Sequence, residues 1–186
     1  MMLNQIALFK PDESLPLRRR VELQLCDLRD VRGILEHRHY LGRTRTGRQL
    51  NYLVLIDGIV DGAITYAYPF TMTPIANIPI DEVLEFARLW LRSNIPNSAS
   101  CAIGKSLRRI KNDWMTSYPD SKEPRLVVSW SDTTRHKGTI YKAANFRLDG
   151  SAKVRPRRHL GSVADWATRK QNADAYHIKE RWVYWL

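Results

Sequence analysis

Cysteine and long hydrophobic runs are both scarce in this sequence. Cys26 and Cys101 are its only cysteines, too few for a disulfide framework or a thiolate zinc site. The longest strongly apolar run, about Leu53–Ile56, is far shorter than the ~20 residues that cross a bilayer. The N-terminus lacks the basic start, apolar centre and small-residue cleavage site of a secretion signal. We therefore expect a cytoplasmic protein with no membrane partner.

Acidic residues are also few relative to basic ones. The chain has 30 Lys and Arg against 19 Asp and Glu, a net charge of +11. Such an excess favours polyanions, of which nucleic acid is the obvious one in a cytoplasm, although a basic protein that is merely soluble is the alternative. The hydrophobic share of 44% and charged share of 26% exclude a wholly disordered chain.

The length of 186 residues predicts one domain. Residues 1–17 contain Pro11 and Pro16 and show no periodicity, so we expect a loosely ordered arm, followed by a single domain over residues 18–186. The domain's predicted strands are Arg20–Leu25, Gln49–Ile56, Ile59–Tyr68, Val83–Leu91, Arg125–Ser131, Phe146–Leu148 and Lys179–Leu186. Asp57-Gly58 predicts a hairpin turn.

Helical patterns alternate with these strands, which predicts a mixed α/β sheet flanked by helices. Asp27 is placed to cap one helix, and a short one is expected around Gly138–Asn145. The clearest helix begins near Ser98 or Ser100. Its apolar stripe is formed by Ile103, Leu107, Ile110 and Trp114, and its opposite face carries Lys105, Arg108 and Arg109.

The first candidate site is the segment His37–Gly42, at the end of the first long helix. A neutral imidazole can take a proton or ligate a metal. His37 and His39 are two residues apart and cannot face the same way on a helix, and we favour His39 because the chain turns just after it. The alternative is a partly exposed histidine whose charge suits the helix C-terminus.

Two further clusters combine charged and hydroxyl side chains. Glu85 and Arg88 lie within an apolar strand, and regular alternation places them on opposite faces, where a salt bridge at a sheet edge is the alternative to a functional role. Asp132, His136 and Tyr141 follow the next strand, where α/β sheets usually present reactive side chains. Asp132 could instead cap the following helix.

The order of elements from Val83 to Gly150 resembles the second half of the GCN5-related acetyltransferase fold. In that fold a buried strand leads to a loop that holds a pyrophosphate at a helix N-terminus. Residues 96–102 occupy that loop here with small residues, but they depart from the family's glycine-containing pattern. The resemblance therefore implies acetyl-CoA as a cofactor with a departure at its phosphate loop. Tyr141 would then protonate the leaving thiolate.

A narrower resemblance is to the phage Mom family, which converts adenine in DNA to a carbamoylmethyl derivative. It rests on short segments in matching order, namely His39-Tyr40, residues 85–90, 103–108, 131–143 and 181–184. The resemblance implies an anti-restriction DNA-modification enzyme in the host bacterial cytoplasm. It also implies an active site of His39, Tyr40, Arg88, Asp132 and Tyr141, with a bound iron ion.

For that metal, His39 and Asp132 are the expected ligands and His136 a weaker third, since histidine and carboxylate together suit Fe(II).

DNA is the expected partner, and a homodimer stays open. The expected DNA-contacting residues are Arg43, Arg45, Arg48, Lys105, Arg108, Arg109, Lys153, Arg155, Arg157 and Arg158. Tyr66, Tyr68 and Trp130 are candidates for stacking on a base. The alternatives are a coenzyme-A-dependent N-acetyltransferase of a protein or small amine and a non-catalytic basic DNA-binding protein.

Overall fold

A computed structural model describes residues 14–154 and 177–186 of the chain. The described strands are β1 (Val21–Cys26), β2 (Gln49–Ile56), β3 (Ile59–Ala67), β4 (Val83–Leu91), β5 (Leu126–Asp132), β6 (Arg147–Val154) and β7 (His177–Trp185). The described α-helices are α1 (Leu17–Arg20), α2 (Leu28–Arg38), α3 (Ser98–Leu107), α4 (Ile110–Ser117) and α5 (Thr139–Ala143). Within these residues, no helix is long and apolar enough to cross a membrane.

The strands form one seven-stranded mixed sheet in the order β1-β2-β3-β4-β5-β7-β6. Neighbouring strands are antiparallel except β4 and β5, which are parallel. The predicted α/β fold with a mixed sheet is confirmed. The predicted hairpin also forms, and Asp57 and Gly58 take φ values of 54° and 77° because its turn needs positive φ at both positions.

Helices cover both faces of the sheet because β2 is apolar on both sides. Tyr52 and Val54 pack in a core with Ile103 of α3, whereas Leu53, one residue along, packs against Val31 of α2. Alternating residues of a strand point to opposite faces, so α2 and α3 lie on opposite sides of the sheet. The N-terminus of α2 is fixed by the Asp27 N–H, which donates to the Asp30 carboxylate at 2.9 Å.

The clearest predicted helix is two helices in the structure, α3 and α4, with a break at Arg108–Arg109. The Arg109 guanidinium explains the break, since it donates to the Leu23 carbonyl of β1 at 3.0 Å and to Asp113 at 2.6 Å. The apolar stripe stays buried on both sides of the break. Periodicity therefore predicted the buried face, but not the point where a contact with β1 interrupts the helix.

The strands β4 and β5 pair only at their beginnings, where Val83–Glu85 lie beside Leu126–Val128. A bulge follows at once in β4: Thr65 and Tyr66 of β3 face Arg88 and Phe86, so Ala87 has no partner. A bulge bends its strand and increases its twist. After the third pair the two strands separate, and the separation opens the sheet near its middle.

Candidate active site

A cleft of about 1100 Å³ lies where β4 and β5 separate. On the face that carries α2, it is bordered by the segment from Arg38 to Arg45 and by Arg88. On the other face, it is bordered by the beginning of α3 and by Tyr141 of α5. The cleft therefore reaches both faces of the sheet through the gap between the two strands. An opening of this kind lets two molecules approach each other from opposite sides.

The bulge at Ala87 places Glu85 and Arg88 on the same face of β4. Both side chains border the cleft, and the expectation of opposite faces was wrong because it assumed regular alternation. One inserted residue reverses the side on which every later residue of the strand points. Leu89 accordingly packs into the core beneath α3, which leaves Arg88 on the face of α2.

Arg45 is buried beside these residues rather than exposed to a nucleic acid. Its side chain is only 3% exposed, and its Nη2 donates to the Glu85 carboxylate at 3.0 Å and to the Tyr68 carbonyl. The Phe70 ring covers the guanidinium, with 3.6 Å between the ring centroid and the Cζ atom. The prediction that Arg45 grips the DNA backbone is therefore wrong, because a buried ion pair occupies this side chain.

Arg88 is the charged side chain at the centre of the cleft wall. It is 6% exposed, and it donates from Nη1 to the Ala87 carbonyl at 2.6 Å and from Nε to the Arg43 carbonyl at 3.2 Å. Burial lowers its pKa, and the nearby Arg45 cation adds to the effect. Its Nη2 has no hydrogen-bond partner among the described residues. A group in the cleft that accepts hydrogen bonds can therefore bind there.

His39 ends α2 as its C-cap and is buried, with 9% of the residue exposed. Burial, Arg88 and His136 together lower its pKa to about 4, so the imidazole is neutral at physiological pH. The Leu41 N–H donates to its Nδ1 at 3.2 Å. An N–H can only donate, so the neutral ring carries its proton on Nε2 and acts there as a hydrogen-bond donor. The alternative of a charged histidine on the helix dipole does not hold.

Tyr40 forms an exposed aromatic surface beside His39. The residue is 52% exposed, and its ring stacks on the His39 imidazole with 4.5 Å between centroids. The His136 ring lies 5.9 Å away, and the Arg135 guanidinium lies over Tyr40 at 5.2 Å. Aromatic and guanidinium groups in this arrangement suit a planar, electron-rich ring as ligand.

Tyr141 lies in the part of the cleft wall that faces α3. It is 8% exposed, and its ring stacks on Trp182 with 5.5 Å between centroids. Its hydroxyl is 3.1 Å from the Ser129 hydroxyl, which donates to the Phe86 carbonyl at 2.9 Å. Burial raises the pKa of Tyr141 to about 12. The phenol therefore keeps its proton at neutral pH and is available there as a proton donor.

Asp132 is the one predicted catalytic side chain that does not border the cleft. Its carboxylate accepts hydrogen bonds from the Thr134 hydroxyl at 2.6 Å and the Thr134 N–H at 3.0 Å. The His136 N–H donates to the Asp132 carbonyl at 2.8 Å. These bonds fix the turn that carries His136. Asp132 does not cap the following helix, because the N-cap of α5 is Gly138 and no side chain caps it.

The described residues do not provide a ligand set for an iron ion. Within residues 14–154 and 177–186, no three side chains of His, Cys, Asp or Glu come close enough to hold a metal ion. His39, Asp132 and His136 therefore do not form the ligand set that the family resemblance implied. The Asp132 carboxylate is engaged by Thr134, and the Nδ1 of His39 is engaged by the Leu41 N–H. The iron prediction therefore has no support within the described residues.

The beginning of α3 provides a surface for phosphate groups. Ser98, Ala99 and Ser100 border the cleft with small side chains, and Asn97 precedes them in the left-handed conformation with φ of 66°. In the described part of the chain, no acceptor takes the N–H groups of Ala99 and Ser100. Such N–H groups at a helix N-terminus bind phosphate. The residues here can therefore hold a phosphate group despite their departure from the glycine-containing pattern.

Cations predicted to contact DNA differ in their environments. Arg43 is exposed at the border of the cleft, together with Arg38. Arg48 is held by Asp120 and Ser121 at 2.5 and 2.7 Å. Lys105, Arg108 and Arg109 belong to the α3–α4 region on the other face, where Arg109 is bound to Asp113 and β1. Lys153 is exposed on β6, and Arg155, Arg157 and Arg158 lie outside the described residues.

Two of the three stacking candidates belong to the core. Tyr66 is fully buried, with its hydroxyl 2.6 Å from that of Ser106, and Tyr68 packs edge-on against Trp114. Trp130 borders the cleft and is half-buried. Sequence reasoning missed Tyr40 as a stacking surface and Phe70 as a neighbour of the site. The position of Tyr40 close to the basic residues Arg43 and Arg45 was an available signal, whereas Phe70 meets Arg45 only through the fold.

A sequence model of the Mom protein family matches residues 20–183. No curated protein matches the chain by sequence. Among solved structures, the chain is similar to the ribosomal-protein alpha-N-acetyltransferase RimL in complex with coenzyme A, with TM-score 0.54 and 14% identity over 92% of this chain and 97% of that one. A Bacillus subtilis acetyltransferase in complex with coenzyme A is similar with a TM-score of 0.53 and 10% identity, over 90% of this chain and 98% of that one. Spermidine N-acetyltransferase from Vibrio cholerae is similar with a TM-score of 0.51 and 10% identity, over 90% of this chain and 94% of that one. These similarities show a GCN5-related acetyltransferase-like fold.

Proposed function

Because the chain belongs to the Mom protein family, we propose that it is a transferase that modifies the exocyclic amine of adenine in DNA. The product that the family implies is the N6-carbamoylmethyl base. The observation that carries the proposal is the cleft between β4 and β5, which reaches both faces of the sheet and has a cationic, aromatic border on one of them. A donor can enter on the face of α3 while a base enters on the face of α2.

The donor side fits coenzyme A. The N–H groups of Ala99 and Ser100 would hold its phosphate groups, and the side chains around them leave room for it. Bound as a thioester, coenzyme A would supply an activated carbonyl carbon. Attack of the adenine amine on that carbon would form an N6-acyl base and release a thiolate and a proton. The N6-carbamoylmethyl base, in which N6 is bonded to a methylene carbon, is not formed by this step alone. Tyr141 keeps its proton at neutral pH and borders the same part of the cleft, so its hydroxyl can protonate a leaving thiolate.

The acceptor side suits a single adenine turned out of the helix. The amine of adenine is inaccessible in stacked duplex DNA, so an enzyme that modifies it must extrude the base or use single-stranded DNA. Tyr40 and Trp130 offer rings on which a base can stack. Arg88 Nη2 and the Nε2–H of His39 are donors for the acceptor atoms of a base or of the transferred group.

The direct test is mass analysis of nucleosides in DNA from cells that express the protein. We expect a modified deoxyadenosine with wild-type protein and its loss with Tyr141→Phe. The matched control is Tyr66→Phe, since the Tyr66 hydroxyl also pairs with a serine but lies outside the cleft. Unmodified deoxyadenosine alone from cells with abundant, folded wild-type protein would refute the proposal.

The fold favours a second candidate, a coenzyme-A-dependent N-acetyltransferase of another amine, because the similar solved structures include such enzymes. Both candidates predict a higher melting temperature with coenzyme A. They differ in the acceptor. Acetyl transfer from radiolabelled acetyl-CoA to a protein or polyamine, with no label in DNA, would favour the second candidate. A non-catalytic DNA-binding protein would bind DNA with a steep salt dependence and form no product.

A further inference from the structure

Two large apolar side chains are exposed on the loop of residues 69–74, which follows β3. Phe70 is 66% exposed and Met72 is 87% exposed. Pro69, Phe70 and Thr71 border the cleft, so the loop stands at its mouth. Exposed apolar area of this size is unfavourable in water, and its position beside a site suggests a partner that covers it.

The loop is held in place rather than loosely attached. The Phe70 ring lies over the Arg45 guanidinium, which is anchored to Glu85. The Thr71 and Thr73 hydroxyls are 2.7 Å apart, and the Thr73 N–H donates to the Thr71 hydroxyl at 3.2 Å. These contacts fix the backbone on both sides of Met72. The side chain of Met72 is therefore presented to solvent by a fixed loop.

The end of the loop is anchored as well. Ile75 and Ile78 exchange backbone hydrogen bonds of 3.1 and 2.9 Å. Both side chains are buried, and they pack against Val83 of β4 and Val128 of β5. The loop is therefore built on the two strands whose separation forms the cleft, so its tip keeps a fixed distance from the site.

The surroundings of the loop are positively charged. Arg38 and Arg43 are exposed at the cleft border, and Arg135 lies over the ring of Tyr40. Cations of this kind bind the phosphate backbone of DNA. Proteins that distort duplex DNA insert apolar side chains, including phenylalanine and methionine, between base pairs. An apolar tip beside a cationic cleft therefore fits duplex DNA better than an apolar protein surface.

We infer that the loop of residues 69–74 is the element that opens duplex DNA, with Met72 entering the base stack while the target base occupies the cleft. Phe70 supports the loop through Arg45 and covers the neighbouring base pair. This inference rests on the proposed function, because it assigns a base to the cleft. It makes Met72 a positioning residue, which touches DNA but not the reacting atoms.

The experiment compares wild-type protein, Met72→Ala and Ile59→Ala on one target sequence, as a duplex and as a single strand. Ile59 is the matched control because it is 50% exposed and lies at the beginning of β3, whereas the loop follows the end of that strand. We expect Met72→Ala to slow modification of the duplex about tenfold or more and to change that of the single strand less than about twofold. Ile59→Ala should change neither.

A second readout needs no chemistry. A 2-aminopurine at the target position of the duplex becomes brighter when it leaves the base stack, and we expect wild-type protein and Ile59→Ala to increase the signal more than Met72→Ala. The inference would be overturned if all three proteins increased the fluorescence equally. It would also be overturned if Met72→Ala lost activity equally on the duplex and on the single strand. If wild-type protein modifies neither DNA form, the proposed function fails, while the 2-aminopurine signal still decides whether Met72 opens the duplex.

Discussion

Replacing Tyr141 with Phe removes a single oxygen atom from the wall of the cleft. The ring itself is held by stacking on Trp182 and by edge contacts with Phe86 and Phe146, none of which involves the hydroxyl. Ser129 keeps its hydrogen bond to the Phe86 carbonyl, so the substitution leaves no buried group without a partner. The variant should therefore fold with the same cleft and lack only the acidic proton.

The structure sets the expected size of each effect. The loss of one neutral hydrogen bond should reduce the free energy of unfolding by about 0.5–1.5 kcal/mol. The loss of a positioned general acid should reduce the rate of group transfer at least ~100-fold. These effects differ enough to be measured separately. Single-turnover modification of an adenine-containing oligonucleotide, followed by mass spectrometry, measures the rate of group transfer. Urea unfolding measures the free energy of unfolding.

Tyr66→Phe is the control for this experiment. The Tyr66 hydroxyl lies 2.6 Å from the Ser106 hydroxyl, which donates to the Ile103 carbonyl at 2.8 Å, so the two tyrosines have the same type of partner. We expect a similar loss of stability from both variants and a loss of activity only from Tyr141→Phe. A Tyr141→Phe enzyme with a rate within about threefold of wild type would refute the role of this hydroxyl as an acid.

Three other predictions concern the cleft and its supports. The pKa of His39 is about 4 in the folded chain against 6.5 ordinarily, so only the unfolded chain binds this proton between those values. The free energy of unfolding of the wild-type protein should therefore fall by up to about 3 kcal/mol more than that of His39→Asn as the pH drops from 6.5 to 4. Urea unfolding measures both free energies, and the same pH dependence for the two proteins would contradict the prediction. Gly138→Ala should lower stability by about 2–4 kcal/mol, because φ is +70° and the new Cβ would lie 2.3 Å from the Trp182 ring; an unchanged melting temperature would exclude the clash. Arg45→Met should lower the free energy of unfolding by about 3–5 kcal/mol, because it leaves Glu85 buried without this partner. The double variant with Glu85→Met should lose less than the sum of the two single variants. Denaturant unfolding of the four proteins in a double-mutant cycle measures this difference.

The elements of the fold were largely predictable from the sequence because their signals are local. Alternation and turn chemistry predicted β2 and β3 with their hairpin, and Asp57-Gly58 needs no distant residue to form its turn. The cap at Asp27 likewise acts within four residues. By contrast, β6 extends to Val154 rather than ending at Leu148, since its length depends on pairing with β7 at the far end of the chain.

The candidate site was predictable in its residue types but not in its geometry. His39, Tyr40, Arg88 and Tyr141 all border one cleft, yet the sequence could not show that Arg45 is buried on Glu85, which lies 40 positions away. Nor could it show the hydrogen bond that fixes the proton of His39 on Nε2. Such contacts depend on packing, and a pattern of residue types contains no information about them.

The bulge at Ala87 connects these observations. Without it, regular alternation would turn Arg88 towards α3 and away from Glu85 and His39. The two strands would also continue side by side, since the pairing of β4 with β5 ends where the bulge bends β4. One unpaired residue thus both opens the sheet and directs the central cation into the opening. The chemistry proposed for this chain depends on that single irregularity of the strand more than on any one of the charged residues around it.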